Sequence, residues 1–413
     1  MIKSGVFGRP RGSSLWLIPI LGLIAGWFNP VWAEPAPLAI GILTDMKGPY
    51  ADLSGEGSVV AAEMAVADFG GRVLGRDIRI VAADHQNKPA IAASIAEEWF
   101  DHEHVGMITD LTNSGAAIAV QKIAAGRNRI SVTVGAGSTD LTGKSCSPTG
   151  FHWAYDTYSN SAPLGRAMVG FGLDTWFFIT VDYAFGWSLE SEATKAVTAA
   201  GGKVVGSARH PLNSNDFVPY LSAGQDSNSK VIALANAGAD TINTVQQAAE
   251  IGISPRSQTL VPLLVFISDV HKLGLDTAKG MTFIDGFYWN HDDASRAWSQ
   301  RFFARRRVMP TMVHAGVYSA VLHYLHAVQA MGSDDAAKVA EKMRETTVHD
   351  IFAADGQIRP DGRMEHDMYL VRVKAPEQSP TPWDYYDILK TIPGKEAFRP
   401  LADSECPLVK KSP

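Results

Sequence analysis

The residues whose types and spacing can do chemistry lie in a few short corners. In "DLTNSGAAIAVQ", residues 110–121, Asn113, Ser114 and Gly115 stand where an apolar run, "VGMIT", gives way to an alanine-rich helical pattern. A helix N-terminus leaves backbone N–H groups without intrahelical partners and carries partial positive charge, so hydroxyls and a glycine there suit an anion. The stretch "GAGSTDLTG" repeats the combination at Gly135, Ala136 and Ser138, and two such corners on neighbouring strands can share one carboxylate. The alternative is that Asn113 or Ser114 only caps its helix, a sufficient reason for either residue at such a position.

Aromatic residues gather near the same kind of corner: Tyr50, Trp153, Tyr155, Tyr183, Phe185, Tyr288 and Trp289. About half of them belong to ordinary core packing, and those in loops at strand ends are the better candidates for covering a flat apolar ligand. His85, His152 and His314 read as structural. Asp84, Asp156 and Asp182 serve equally as caps, lobe bridges or ligand contacts. The run Arg305, Arg306, Arg307 reads as a solvated helix face. No nucleophile elbow, P-loop, complete dinucleotide fingerprint, CxxC or HExxH occurs, and no local spacing pairs a serine with His and Asp. The expectation is a binding protein, not an enzyme, with no cofactor and no metal.

Elements must position these corners. From residue 38 short, β-branched apolar runs ("LAIGILT", "IRIVAAD", "VGMIT", "ISVTVG") alternate with amphipathic stretches, and the rhythm restarts after Trp153 with "TWFFITVD", "KVVGSARH", "KVIALAN" and "TLVPLLVFIS". Nearly continuous apolar runs suit strands buried on both faces, and the helices between them make βαβ units. The predicted fold class is α/β, with two Rossmann-like lobes, each a parallel sheet flanked by helices. After "GMTFIDGFYWN" a helix-rich stretch returns to the first lobe, "MYLVRVK" is strand-like, and the Pro-rich "EQSPTPWDYYDIL" reads as irregular cover.

Lys3, Arg9 and Arg11 precede "SLWLIPILGLIAGWF", which ends in "VWA" before Glu34; residues 1–33 read as a secretory signal peptide cleaved after Ala33. Without it, 34 basic face 43 acidic residues, a formal charge of −9. That balance excludes nucleic acid as the natural partner, because phosphate binding needs a basic face. Cys146 and Cys406, in an oxidising compartment, are either disulfide partners or two free thiols.

From residue 38 to about 374 the chain resembles the type I periplasmic binding proteins of the leucine/isoleucine/valine-binding family, extracytoplasmic receptors of ABC importers. The resemblance rests on the order and spacing of "GILTDMKGPYADLSGEG", "TNSGAAIAVQ", "GAGSTDLTG", "DYAFGWSLE" and "ALANAGADTINTVQQAAEIGI". It implies two lobes joined by three crossovers and closing on a ligand by a hinge, without chemistry. Ser114 then matches the ligand-carboxylate serine; Gly135, Ala136 and Ser138 match a second carboxylate loop; Phe185 matches a covering aromatic; and Leu53 or Ser54 falls where the family often has a tyrosine.

Two departures concern the ammonium clamp of an amino-acid ligand. Asn236, Ala237 and Gly238 replace an expected aromatic, and Asp269 matches the acidic residue only loosely. With Tyr50, Tyr155, Asp182 and Tyr183, these residues complete the expected site. A roomier pocket and a further likeness in "YDTYS", "DYAFG", "FYWN" and "CPLVKK" to receptors for plant-derived aromatic acids imply a bulky or aromatic carboxylate. That subgroup also shares the Cys146–Cys406 pairing. The alternatives are a branched-chain or other amino acid or amide, or a sensory receptor for a membrane kinase.

The remaining expectations follow. Lobe I comprises residues 38–155 and 287–350; lobe II, 156–286 and 351–385; and 386–413 forms a tail tied back by the disulfide. The partners are a small carboxylate and a membrane permease, the chain is a monomer, and its location is periplasmic.

Overall fold

The structure, a computed structural model, describes residues 36–254 and 258–409; the leader expected at 1–33 lies outside them. Its first strand, β1 (Leu38–Thr44), is buried at every position. The first sheet runs β2 (Arg72–Val73), β3 (Arg76–Asp84), β1, β4 (Val105–Asp110), β5 (Ile130–Thr133), β6 (Gly150–His152), parallel except for the β2–β3 pair. Helix α1 (Gly55–Phe69) covers one face, where Leu38, Ile40 and Ile42 point. Helices α2 (Pro89–Asp101) and α3 (Ser114–Gly126) cover the other, enclosing Leu43, Trp99, Ile108 and Val120. The apolar runs lack the polar alternation of a half-exposed strand because helices take both faces.

The second lobe repeats the design. It contains α4 (Thr157–Gly170), β7 (Thr175–Val181), α5 (Ala184–Ala199), β8 (Lys203–His210), α6 (Val218–Asp226), β9 (Val231–Ala235), α7 (Ala239–Glu250) and β10 (Thr259–Pro262). Its parallel sheet has the order β10-β9-β7-β8. The run "TLVPLLVFIS" is strand only to Pro262; the rest turns into α8 (Ile267–Leu273), followed by α9 (Leu275–Ala278).

Strand β11 (Thr282–Asp285) then begins a separate antiparallel sheet, after which α10 (Asp293–Arg306) and α11 (Met312–Met331) pack on α1, and α12 (Ala336–Glu345) packs on α11. The hairpin β12 (Gln357–Ile358) and β13 (Met364–Glu365) leads to β14 (Met368–Val373) and β15 (Tyr386–Ile392), in the sheet order β11-β14-β15.

Two stretches differ from the expected boundaries. Residues 357–365 join the first lobe: the free edge of β6 is capped by a parallel bridge between His152 and Arg363, and the His152 N–H donates to Gly362 O at 2.9 Å. An uncovered sheet edge attracts such a partner. Residues 386–392, expected as tail, form β15 because the prolines of the cover segment precede it and leave its N–H groups available for the ladder.

The chain passes between the lobes three times, near residues 153–156, 286–291 and 366–367. Fully buried Arg363 ties the first crossing, donating to Tyr155 O at 3.0 Å and to Trp153 O. His366 Nε2 meets Ala154 O at 2.7 Å. After α13 (Gly394–Ala397), Arg399 bonds Glu192 of the second lobe at 2.6 Å, and Cys406 forms a disulfide with Cys146 of the first.

Candidate interlobe ligand site

In an open α/β sheet, ligands sit beyond the carboxyl ends of strands where the strand order reverses. In the first lobe that point is β1, between β3 and β4; in the second it is β7, between β8 and β9. The loops leaving β1, β4, β5, β7, β9 and β10 meet around a narrow cavity of about 10 Å³. Leu53 and Leu264 contribute aliphatic wall, and Thr112, Gly135 and Ala237 the small surfaces. Four rings complete it: Tyr50, Tyr155, Tyr183 and Phe185.

The first-lobe floor is held by a closed hydroxyl cluster. Thr44 Oγ1 lies 2.9 Å from Ser54 Oγ and 2.7 Å from Thr112 Oγ1, and Ser54 and Thr112 meet at 3.1 Å. The Tyr155 hydroxyl donates to Gly135 O at 2.6 Å, pinning the 135–138 loop. Gly137 is required there, since a Cβ would lie 2.9 Å from the Tyr155 ring and 3.2 Å from that of Phe185. Burial pushes the pKa values of Tyr50, Tyr155 and Tyr183 up, so all three stay protonated at neutral pH.

Beneath this floor, Asp110 ends β4 in the left-handed region (φ 75°), followed by Leu111 (φ 57°). Two successive non-glycine residues there are strained, at about 1–3 kcal/mol each, and persist only where surroundings fix them. Here Val134 and Gly135 both donate N–H groups to Asp110 O, at 3.0 and 2.9 Å, and Leu111 N–H donates to Leu43 O at 2.9 Å. The Asp110 side chain is fully buried and no donor reaches either oxygen in hydrogen-bonding geometry. Desolvation raises its pKa to about 7, the nearby Ser58 and Thr44 hydroxyls pulling the other way.

That turn decides which hydroxyl faces the cavity. Tyr50, Gly135, Tyr155, Tyr183 and Phe185, singled out from sequence, line it. Asn113 caps α3, its Oδ1 accepting from Ala116 N–H at 3.1 Å. Ser114 Oγ accepts the Ser138 N–H at 3.2 Å, and Ser138 Oγ accepts from Asp140 N–H at 3.3 Å. Ala136 O meets His152 Nε2 at 2.7 Å, and Gly115 lies against Pro89.

The other expected residues stand behind or beside the cavity. Ser54 belongs to the hydroxyl cluster. Asn236 is engaged within the second lobe by Thr241 at 2.8 Å and His210 at 3.1 Å. Exposed Asp182 accepts from Trp187 Nε1 at 2.9 Å. Asp269 accepts from Phe266 N–H at 3.0 Å, and desolvation raises its pKa to about 7. Thr112 and Leu264 line the cavity without having been singled out: a left-handed turn between two non-glycine residues leaves no pattern in sequence, and Leu264 sits inside an apolar run.

Few contacts close the cleft. The Tyr50 and Tyr183 hydroxyls hydrogen-bond at 2.8 Å, Ala239 N–H donates to Pro49 O at 3.1 Å, Thr139 N–H donates to Ser188 Oγ at 3.3 Å, and Lys272 pairs with Asp52. Gly238, with φ 59°, allows the approach, because a Cβ there would lie 2.4 Å from Pro49 O.

With the two-lobed arrangement described, comparison with known proteins is decisive: the periplasmic binding protein family matches residues 37–378. The chain belongs to that family. Among solved members, a periplasmic binding protein from Burkholderia mallei is 46% identical, with a TM-score of 0.89, over 91% of this chain and 99% of its own. A branched-chain amino acid ABC transporter periplasmic ligand-binding protein from Burkholderia xenovorans is 38% identical, with a TM-score of 0.80, over 90% and 99%. A solute-binding protein of an ABC transporter from Rhodopseudomonas palustris, solved with 3,4-dihydroxybenzoic acid, shares the fold at 19% identity and a TM-score of 0.78, over 87% and 98%. This periplasmic binding protein is thus a solute-binding protein of the ABC-transporter type, and no helix among its described residues is long and apolar enough to cross a membrane.

Proposed function

We propose that the chain is the extracytoplasmic receptor of an ABC importer for a small aromatic carboxylate, which it holds in the interlobe cavity by closing its lobes, and which it delivers unchanged to a membrane permease. The observation that carries this reading is the composition of the cavity wall: four aromatic rings and no charged side chain. An amino acid's ammonium, buried there, would lack the carboxylate that a buried charge requires. A ring meets ring faces, and a carboxylate meets the Thr112 and tyrosine hydroxyls together with the first-turn amides of α3, where the helix dipole favours an anion. Ser114 acts in this reading through the loop it fixes, by holding Ser138, and by moving its hydroxyl to the carboxylate when ligand displaces that contact.

With the lobes together the cavity holds only about 10 Å³, far below the roughly 300–1,000 Å³ of sites for drug-sized ligands, so the lobes must part to admit even a single ring. Its aromatic wall also agrees with the dihydroxybenzoate held by the Rhodopseudomonas palustris relative in fold. Entry requires the Tyr50–Tyr183 contact to part, and closure follows from the ligand's higher affinity for the closed form.

The test is thermal-shift screening of the mature protein, followed by calorimetry, against benzoates, hydroxycinnamates, branched-chain amino acids, amides and dicarboxylates. A true ligand raises apparent stability by mass action. Stabilisation by an aromatic acid, with the acid recovered unchanged, is expected; stabilisation by leucine and by no aromatic acid overturns the assignment.

A further inference from the structure

The Tyr50–Ser54 loop has a second cavity on it. This space, about 110 Å³, is walled by Asp52, Ser54 and Arg306 from the first lobe and by Ser268, His271 and Lys272 from the second, with Trp383 beside them. Unlike the aromatic cavity it has charged side chains in its wall, Arg306 and Lys272 against Asp52.

Arg306 is the unusual member. Helix α10 carries four arginines, and three are paired: Arg296 with Asp293, Arg301 with Asp68 at 2.6 Å and Arg305 with Glu63 at 3.4 Å. Arg306 has no carboxylate partner among the described residues, and its Nε–H, shielded from solvent, has no acceptor. The helix dipole favours a cation in this last turn, but Arg305 already serves that purpose. Ser268, from the second lobe, also lines the cavity, and its hydroxyl draws the pKa of the neighbouring Asp269 carboxyl down. A buried donor left unsatisfied costs about 1–3 kcal/mol, and Arg306, which lines this cavity, also has no carboxylate to meet its charge among the described residues.

The other groups fit an anion as well. Lys272 reaches the cavity and shares its charge with Asp52, while Glu56 nearby is exposed. His314 is neutral: burial lowers its pKa to about 4, and its Nε2–H is spent on Ser54 O at 2.9 Å. His271 is stacked on Trp383 at 3.9 Å and bonded to the Tyr385 hydroxyl at 2.7 Å, and burial lowers its pKa too. The positive charge comes from Arg306 and Lys272.

We propose that this cavity is a second subsite, separate from the aromatic one, that binds a small oxyanion of phosphate or carboxylate type on Arg306, Lys272 and Ser268. Because its walls come from both lobes, it is complete only when they close. The anion therefore favours the closed form and, by reciprocity, tightens binding in the first cavity by the same factor as the first ligand tightens the anion.

Inorganic phosphate and acetate, each alone, test this on the mature protein by thermal shift and calorimetry, against sodium chloride at equal ionic strength and pH 7. Expected is a rise in Tm with phosphate, acetate or both beyond that with chloride, whichever responds showing whether tetrahedral or carboxylate anions are accepted. Arg306→Gln should weaken anion affinity roughly tenfold or more, as loss of a charged hydrogen-bond donor does. Ser268→Ala should weaken it less. A response equal to chloride's, or one undiminished in Arg306→Gln, overturns the proposal. Should Arg306→Gln fail to fold, Ser268→Ala and calorimetry on Arg306→Lys decide the matter, full affinity in both counting against the subsite. The probes do not depend on the first cavity's ligand, so failure here leaves the aromatic-acid reading standing.

Discussion

The two sides of the ligand cleft are built differently. The first-lobe side is tied to itself: Thr44, Ser54 and Thr112 share hydroxyl protons, Tyr155 pins Gly135, Ser114 holds Ser138, and a strained turn at Asp110–Leu111 is fixed by backbone bonds from β1 and β5. The second-lobe side offers Tyr183, Phe185 and the bare backbone at Gly238, and reaches the first by isolated hydrogen bonds and an exposed ion pair. Exposed pairs contribute only about 0–1 kcal/mol. One wall is therefore preorganised and the other recruited, and closure is balanced finely enough for a ligand to decide it.

The contrast can be broken on either side. The largest effect is expected from removing the Cys146–Cys406 disulfide, which spans 260 residues and fastens the tail to the preorganised lobe. The double serine variant should lose about 2–5 kcal/mol of stability in urea unfolding yet keep its ligand affinity. Affinity falling in parallel with stability would mean that the tail takes part in closure.

Gly238→Val strikes the recruited side. Its Cβ would press on Pro49 O only when the lobes meet. Binding by calorimetry should fall roughly a hundredfold, about 2.7 kcal/mol. The unliganded stability should drop only by what a strained φ costs, about 1–3 kcal/mol. Unaltered affinity would show that this closure contact does not form with ligand.

Asp110 tests the floor through pH. Its folded pKa is raised to about 7, above the unfolded value near 4, so between those values the folded state keeps a proton that the unfolded state has lost. Its contribution is thus favourable at low pH, and stability falls as pH rises from about 4 to 7 before levelling. Asp110→Asn should be more stabilising at pH 8 than at pH 4.5 by about 1–3 kcal/mol in urea melts. An equal effect at both pH values would mean that the carboxyl is not desolvated as described.

The smallest expected effects come from a matched pair of hydroxyl deletions. Tyr183→Phe removes a bond between lobes and should weaken ligand by about 0.5–1.5 kcal/mol with stability nearly unchanged. Tyr155→Phe removes a bond inside the site floor and should lower the Tm as well. Indistinguishable behaviour would erase the distinction between the two walls.

Much of this was legible in the chain. Runs such as "LAIGILT" and "TWFFITVD" specify strands covered on both faces, because no polar residue interrupts them, and the corners after them mark the cleft edge. Asn113 as a cap is a local matter and was equally readable. Tertiary structure alone decided that Thr112 faces the cavity while Ser114 braces the neighbouring loop, since two left-handed residues rotate the chain there and are held by strands distant in sequence. It also decided that Gly238 is a closure contact, because its meaning depends on Pro49 approaching from the other lobe. Arg306 looked like one more solvated charge beside Arg305 and Arg307, and only the packing of the α10 end near Ser268 left its Nε–H without an acceptor. Local sequence fixes periodicity, caps and burial, whereas the direction of a side chain in a cleft follows from long-range hydrogen bonds and steric contacts between segments that the sequence keeps far apart.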